Sequence, residues 1–277
     1  MKVGVALGGG GAKGLAHIPM LEVLDEFGIH PHMIAGTSIG AIIGVRYASG
    51  MYAAELRAHI RTLTATPRTL KEAFRARELP GWLDVIGLDI GRGRLFQVDE
   101  FLSHLEEEVG ASHLEDLRIP VRVVASDFWD RRQVIFESGP IAHAVAASFA
   151  LPGIFRPVVH EGRVLVDGGS TNPVPYDLLE EECDVVIAID VLGKKRPNPK
   201  LLPSYSEVLF NTFQIAQRSI LEAKMKASPP TIYVAPEIHD VRVLEFHKAE
   251  SVYEQAQPAR ARFARELREL LGPGRER

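Results

Sequence analysis

The pentapeptide Gly36-Thr37-Ser38-Ile39-Gly40 has the residue types and spacing of a nucleophile carried on a sharp turn. A serine hydroxyl attacks a carbonyl only when it projects clear of its own backbone and a base stands within reach. Glycines two before and two after Ser38 meet the first need, because they let a helix cross close over the strand it leaves. Ile34-Ala35 before and Ala41-Ile42-Ile43 after fit such a strand and helix. Ser38 would then sit at the positive end of the helix, where developing negative charge is stabilised. A serine capping a helix in a glycine turn has the same local pattern, so the pentapeptide is a candidate only.

Asp167-Gly168-Gly169 offers a base. It follows the apolar run Val164-Leu165-Val166, and its glycines allow backbone to approach another loop closely. An Asp-Gly turn between strands is the plain alternative. The order Ser38, Asp167, His239 also fits the Ser–acid–His order of α/β-hydrolases. Against that triad, the pentapeptide stands early in the chain, on the second strand. His239 follows Pro236-Glu237-Ile238 and His247 lies in a charged amphipathic stretch, and neither setting is a recognisable catalytic loop.

The third motif is Gly9-Gly10-Gly11-Ala12-Lys13-Gly14. It satisfies the dinucleotide pattern G-x-G-x-x-G, but that reading needs an acidic residue at the end of the second strand, where Gly36-Thr37-Ser38 stands. A phosphate-binding P-loop would need Ser or Thr after the lysine, and Gly14 is there. What remains is a loop of exposed amides at a helix N-terminus, able to hold an anion. Aimed at a tetrahedral intermediate, such donors form an oxyanion hole, each worth about 10²–10³ in rate. A turn that merely packs strand against helix is the alternative.

The elements around these motifs alternate. Residues 3–7, 33–35, 121–126, 133–137, 163–166, 185–191 and 232–235 read as strands, with 185–191 as a central one. Residues 15–27 read as an amphipathic helix closed by Gly28, with a cost or kink expected at Pro19, and 41–49 as a second helix. Strands alternating with helices predict a three-layer α/β/α domain with a mainly parallel sheet. Residues 1–192 are expected to form the catalytic core, with a helical insertion over about 51–115 that could act as lid or flank. Residues 193–277 are expected to form a C-terminal helical extension packed on the same domain. Its last helix carries Phe263, Leu267, Leu270 and Leu271 on one face and interleaves Arg260, Arg262, Arg265 and Arg268 with glutamates.

Composition excludes some classes. With 46% apolar and 25% charged residues the chain is ordinary for a globular domain, and a net charge of −4 lacks the basic footprint of a nucleic-acid partner. No long apolar run suits a membrane span or signal peptide, so a cytoplasmic location is expected and any membrane contact would be peripheral. The one cysteine, Cys183, stands between Glu182 and Asp184, which raise a thiol's pKa, and is expected to be structural. His, Cys and acidic residues show no ligand-type spacing, so no metal or cofactor is expected.

Together, Gly9-Gly10-Gly11-Ala12-Lys13-Gly14, Gly36-Thr37-Ser38-Ile39-Gly40 and Asp167-Gly168-Gly169, in that order, resemble the patatin-like phospholipase family. The resemblance extends through Ser126-Asp127 and Ala147-Ser148-Phe149-Ala150-Leu151-Pro152-Gly153, covering roughly residues 3–191. Pro19 departs from it, standing where bacterial relatives commonly carry glycine. The resemblance implies a patatin-like fold and a Ser–Asp dyad without histidine: Ser38 as nucleophile, Asp167 as base, and amides of Gly9, Gly10 and Gly11 holding the oxyanion. Lys13 would supply positive charge near that loop, with Gly14, Gly36, Gly40, Gly168 and Gly169 in support. The implied substrate is a fatty acyl ester such as a phospholipid or lysophospholipid. Because a free Asp has a pKa near 3.9, the dyad requires Asp167 to be partly desolvated and within hydrogen-bond reach of Ser38. Trp82, Phe96, Phe101, Phe149 and Phe155 are available to line an acyl pocket or to pack the core. The rival readings are an esterase with a histidine triad and a lipid- or protein-binding module that no longer turns over.

Overall fold

The computed structural model describes residues 1–64, 99–193, 202 and 205–272. Alternate residues of its first strand, β1 (Val3–Leu7), face two different cores. Val3, Val5 and Leu7 point into the larger one and Ala6 into a smaller one. The neighbouring strands β2 (Met33–Thr37) and β7 (Val185–Ile189) divide the same way, with Ile34, Ile187 and Ile189 on the large side and Ala35, Val186 and Ala188 on the small side. Both faces are covered, which is why these strands read as unbroken apolar runs.

The remaining strands are β3 (Val121–Asp127), β4 (Arg132–Phe136), β5 (Val158–His160), β6 (Arg163–Asp167) and β8 (Ile232–Val234). They form one eight-stranded sheet in the order β5-β6-β3-β2-β1-β7-β8, with β4 pairing on β3. The run β3-β2-β1-β7-β8 is parallel, and β4, β5 and β6 join antiparallel. The described helices are α1 (His17–Glu26), α2 (Ile39–Ala48), α3 (Ala53–Thr64), α4 (Asp99–Val109), α5 (Ile141–Ser148), α6 (Tyr205–Ala227) and α7 (Ala249–Leu271). Residues of α1, α2, α5 and α7 fill the larger core, whereas Leu221 and Met225 of α6 help cover the smaller one. The result is an α/β/α architecture with a mainly parallel sheet. None of the described helices is long and apolar enough to cross a membrane.

One strand has an unusual set of neighbours. β4 pairs with Val123–Asp127 along one edge of β3. The opposite edge is shared: β2 pairs with 121–124 and β6 with 125–127. Because β2 runs parallel to β3 and β6 antiparallel, the two strands meet with their C-terminal ends together.

Several expectations change. Pro19 does not interrupt a helix, because the α-helix begins at His17 and residues Gly11–Ala16 form a 3-10 helix before it. Pro19 therefore falls in the first α-helical turn, where amides lack an intrahelical partner. The 185–191 strand is interior but lies one place from the sheet edge, between β1 and β8; the centre of the order is β2. The short strand β5 gave no sequence signal. Of the 51–115 insertion only residues 51–64 and 99–115, which carry α3 and α4, are described, and Trp82, Phe96 and the Phe101 side chain lie outside the described residues. Along α7, Val252, Tyr253, Ala256, Ala259, Phe263 and Leu267 make the buried stripe, while Leu270 is exposed and Arg260 pairs with Glu22 and Glu26 of α1. Cys183 packs its Sγ against Gly4, and burial together with Glu182 pushes its thiol pKa up.

Candidate active site

The turn between β2 and α2 holds Ser38 at φ 57° and ψ −123°, a left-handed conformation rare for a residue with a side chain. Such a backbone costs about 1–3 kcal/mol and persists only where surroundings impose it. The Ser38 N–H donates to Ser148 Oγ at 2.8 Å, and the Ser38 carbonyl accepts from Ala41 N at 2.9 Å. Thr37 Oγ1 donates to the Asn172 carbonyl at 2.8 Å. The flanking glycines are steric requirements: a Cβ on Gly36 would stand 2.6 Å from Ala41 Cα, and one on Gly40 only 2.1 Å from the Leu7 carbonyl oxygen. Without those Cβ atoms α2 descends onto the sheet with Ser38 at its N-terminus.

Asp167 ends β6 beside that turn. Ser38 Oγ donates to Asp167 Oδ2 at 2.7 Å, and Gly169 N donates to Oδ1 at 2.7 Å. The aspartate backbone is held equally firmly, its N–H donating to the Ala150 carbonyl and its carbonyl accepting from Ser126 Oγ. Asp167 is 1% exposed and Ser38 6%. Burial raises the Asp167 pKa from 3.8 to about 6, against the opposing hydrogen bonds from Ser38 and Gly169. Gly168 is also sterically required, since a Cβ there would lie 2.1 Å from the Val124 carbonyl oxygen.

The glycine loop lies across from this pair. Gly9 N donates to the Pro173 carbonyl at 2.9 Å, and Gly8 N to that of Ile189 at 3.0 Å. Gly10 and Gly11 line the pocket, and their amides make no hydrogen bond to the described residues. The loop is fixed from several sides. Gly11 takes φ 58° against Val243, a Cβ on Gly10 would meet the Val191 carbonyl at 2.7 Å, and one on Gly14 would meet Ile39 at 2.3 Å. Lys13 is buried and donates from Nζ to the Leu192 carbonyl at 2.8 Å, which ties the loop to the end of β7. His17, fully buried, has its pKa lowered to about 4 by desolvation and is neutral. Its Nε2 stands 2.8 Å from the Gly8 carbonyl, so the ring proton is on Nε2.

Ser38, Asp167 and Gly9–Gly11 open into one pocket walled by Phe149, Leu151, Phe210, Phe213, Gln214, Gln217, Val243 and Leu244. Phe155 lies behind it in the core, 4.9 Å from the Phe149 ring. None of the ten histidines, all among the described residues, lines this pocket. His239 exchanges two backbone hydrogen bonds with the Gln255 side chain, and His247 is exposed. Among the described residues no group of three or more His, Cys, Asp or Glu is placed to hold a metal ion.

A family model described as patatin-like phospholipase matches residues 5–179. The chain belongs to the patatin-like phospholipase family. Patatin-like similarity thus takes in the glycine loop, Ser38 and Asp167, and stops short of the α6 and 243–244 walls of the pocket. An uncharacterized NTE family protein of Mycobacterium tuberculosis (strain ATCC 25618 / H37Rv) is 32% identical over 195 residues, 70% of this chain and 50% of that protein. Lysophospholipase NTE1 of Kluyveromyces lactis is 25% identical over 91% of this chain but 18% of its own length. The chain therefore spans half or less of the curated relatives it matches. Among solved structures, VipD from Legionella pneumophila is superposable at TM-score 0.48, with 15% identity over 95% of this chain and 67% of that one.

Sequence reasoning overlooked two supports of this patatin-like site. Ser148 lay within a motif already noted, yet a serine ending an ordinary helix gives no sign that it accepts a hydrogen bond from residue 38. Phe210, Phe213, Gln214 and Gln217 repeat at helical spacing, a signal of one face, but nothing local says what that face covers.

Proposed function

We propose that this protein hydrolyses fatty acyl esters of lipids, phospholipid or lysophospholipid, through a Ser38–Asp167 dyad and an acyl-enzyme. The observation that carries this reading is the 2.7 Å hydrogen bond from Ser38 Oγ, on a strained turn, to a buried Asp167 whose pKa is raised to about 6. At neutral pH that carboxylate is ionised, yet it is a stronger base than an ordinary aspartate. Ser38 Oγ attacks the ester carbonyl as its proton passes to Asp167 Oδ2. The amides of Gly10 and Gly11, without acceptors among the described residues, take the oxyanion, with Gly9 holding the loop through Pro173. The tetrahedral species collapses, and Asp167 returns the proton to the departing alcohol. Water then repeats the sequence on the acyl-enzyme, giving up its proton to Asp167 and releasing the fatty acid and Ser38.

The apolar walls Phe149, Leu151, Phe210 and Phe213 suit an acyl chain, and the family together with the lysophospholipase relatives supports a lipid ester. No metal or cofactor enters these steps. Contact with lipid would be peripheral. The test is hydrolysis of a lysophospholipid, phospholipid and monoacylglycerol panel by the wild type and by Ser38→Ala, with fluorophosphonate labelling alongside. Turnover and stoichiometric labelling in the wild type, both absent in Ser38→Ala, are expected. Equal turnover by the two proteins would sink the dyad, and a folded wild type that neither labels nor turns over would point to a binding module.

A further inference from the structure

The geometry points to Gln217 as the residue that holds the oxygen exchanging a proton with Asp167, first the departing alcohol and then the hydrolytic water. This inference rests on the dyad reading above and assigns the fourth side of its site. Phe210, Phe213, Gln214 and Gln217 form one stripe of α6 facing the pocket. Gln217 is only 5% exposed, and its side-chain amide makes no hydrogen bond to any described residue. Buried amides are almost always partnered, so one that lacks a protein partner and opens on a pocket is set to bind what enters.

Its position narrows what that occupant is. Gln217 Nε2 lies 2.1 Å from the point a Cβ on Gly169 would occupy, and Asp167 Oδ1 lies 2.9 Å from the same point. The amide therefore rests over the glycine whose N–H holds the Asp167 carboxylate. A side chain at the second glycine of Asp167-Gly168-Gly169 would displace the Gln217 amide, which fills that place. Both Asp167 and Gln217 line the pocket, so an oxygen that exchanges a proton with the carboxylate would be taken up by the amide from the Oδ1 side.

In acylation that oxygen is the leaving alkoxide, which takes the proton from Asp167 as its bond to the acyl carbon breaks; the amide N–H can donate to it. In deacylation it is water. One O–H bond breaks, the proton goes to Asp167, the oxygen bonds to the acyl carbon, and the second hydrogen is accepted by Gln217 Oε1. Expulsion of Ser38 Oγ takes the proton back from Asp167, leaving free enzyme and carboxylic acid. A leaving alcohol is already tethered by the rest of its lipid, whereas a water is oriented by hydrogen bonds alone. Removing the amide must therefore slow deacylation more than acylation.

The experiment uses Gln217→Met, which keeps length and bulk but offers no comparable hydrogen bonding. With p-nitrophenyl butyrate, the pre-steady-state burst reports acylation, the steady state reports deacylation, and intact-protein mass spectrometry reports the adduct on Ser38. Expected are acylation within about twofold of wild type, deacylation slowed about tenfold or more, and accumulation of butyryl-Ser38. Hydroxylamine, a stronger nucleophile than water, should restore turnover more in the variant than in the wild type. Gln217→Ala should show the same split, which removes any effect peculiar to methionine packing. Rates that fall by one common factor, or do not change, overturn the assignment of Gln217 while leaving the dyad intact. Undiminished turnover by Ser38→Ala overturns both.

Discussion

Ser38 Oγ donates to Asp167 Oδ2 although 129 residues separate them, because the strands that carry them end against each other on one edge of β3, Thr37 opposite Val124 and Asp167 opposite Ala125. On the shared edge of β3, Gly36 pairs with Val123 and Thr37, the last residue of β2 before Ser38, with Val124. From the other direction Leu165 pairs with Asp127, Val166 with Ser126, and Asp167 with Ala125. One strand thus measures out the positions of both partners. The hydrogen bonds around them, Ser38 N to Ser148 Oγ and Asp167 N to the Ala150 carbonyl, lock the two ends where β3 has set them.

The raised Asp167 pKa predicts the pH profile. The dyad needs the carboxylate ionised, so kcat/KM should fall tenfold per pH unit below about 6 and level off above it. A soluble chromogenic ester assayed from pH 4.5 to 8.5 reads this directly. A profile flat down to pH 4.5 would mean that Asp167 is not the group whose proton matters.

The same shift predicts a trade between activity and stability. Folded Asp167 binds its proton more tightly than the unfolded chain, so folding free energy is lost as pH rises from 3.8 through about 6. Above that window the ionised, buried carboxylate costs roughly 3 kcal/mol, partly offset in a neutral variant by weaker hydrogen bonds. Asp167→Asn should gain about 1–2 kcal/mol in urea melts at pH 8 and nothing at pH 4, while turnover drops by about 10³-fold. A variant less stable than wild type at pH 8 would contradict the desolvation argument.

Two glycines near Ser38 should respond oppositely to alanine. At Gly40 the new methyl would sit 2.1 Å from the Leu7 carbonyl oxygen, so β1 or α2 must move, and a loss above about 4 kcal/mol is expected. At Gly9 the nearest atom is Ser38 Cβ at 3.4 Å, ordinary contact. Gly9→Ala should melt within about 1 kcal/mol of wild type and still lose activity, because its methyl crowds the nucleophile. Thermal melts beside ester turnover separate the two.

Ser148→Ala leaves the buried Ser38 N–H without its acceptor and releases one restraint on the strained turn. A destabilisation of about 1–3 kcal/mol is expected, with kcat falling and KM little changed. Unaltered kcat would show that the glycines alone hold the elbow.

The candidate site was more legible than the frame that aligns it. Gly36 and Gly40 stood out because close approach leaves glycine no substitute, and the Asp-Gly-Gly turn stood out for the same reason. Ser148 and Gln217 did not, because their work depends on partners more than 40 residues away and on ordinary helical positions. The reading of Pro19 as a helix interruption failed because a 3-10 turn and an α-helix share apolar spacing near their junction. The sharing of one β3 edge by β2 and β6 is a fact of register between distant segments, and no local pattern encodes it.

The head-to-head meeting of β2 and β6 also bears on protein synthesis. The ribosome emits Ser38 long before Asp167, so a growing chain carries the proposed nucleophile without its proposed base until β6 has emerged and docked on β3. Hydrolysis should therefore begin only once that docking is complete, and nascent chains halted before residue 163 should be inert toward nearby lipid even if their elbow has formed.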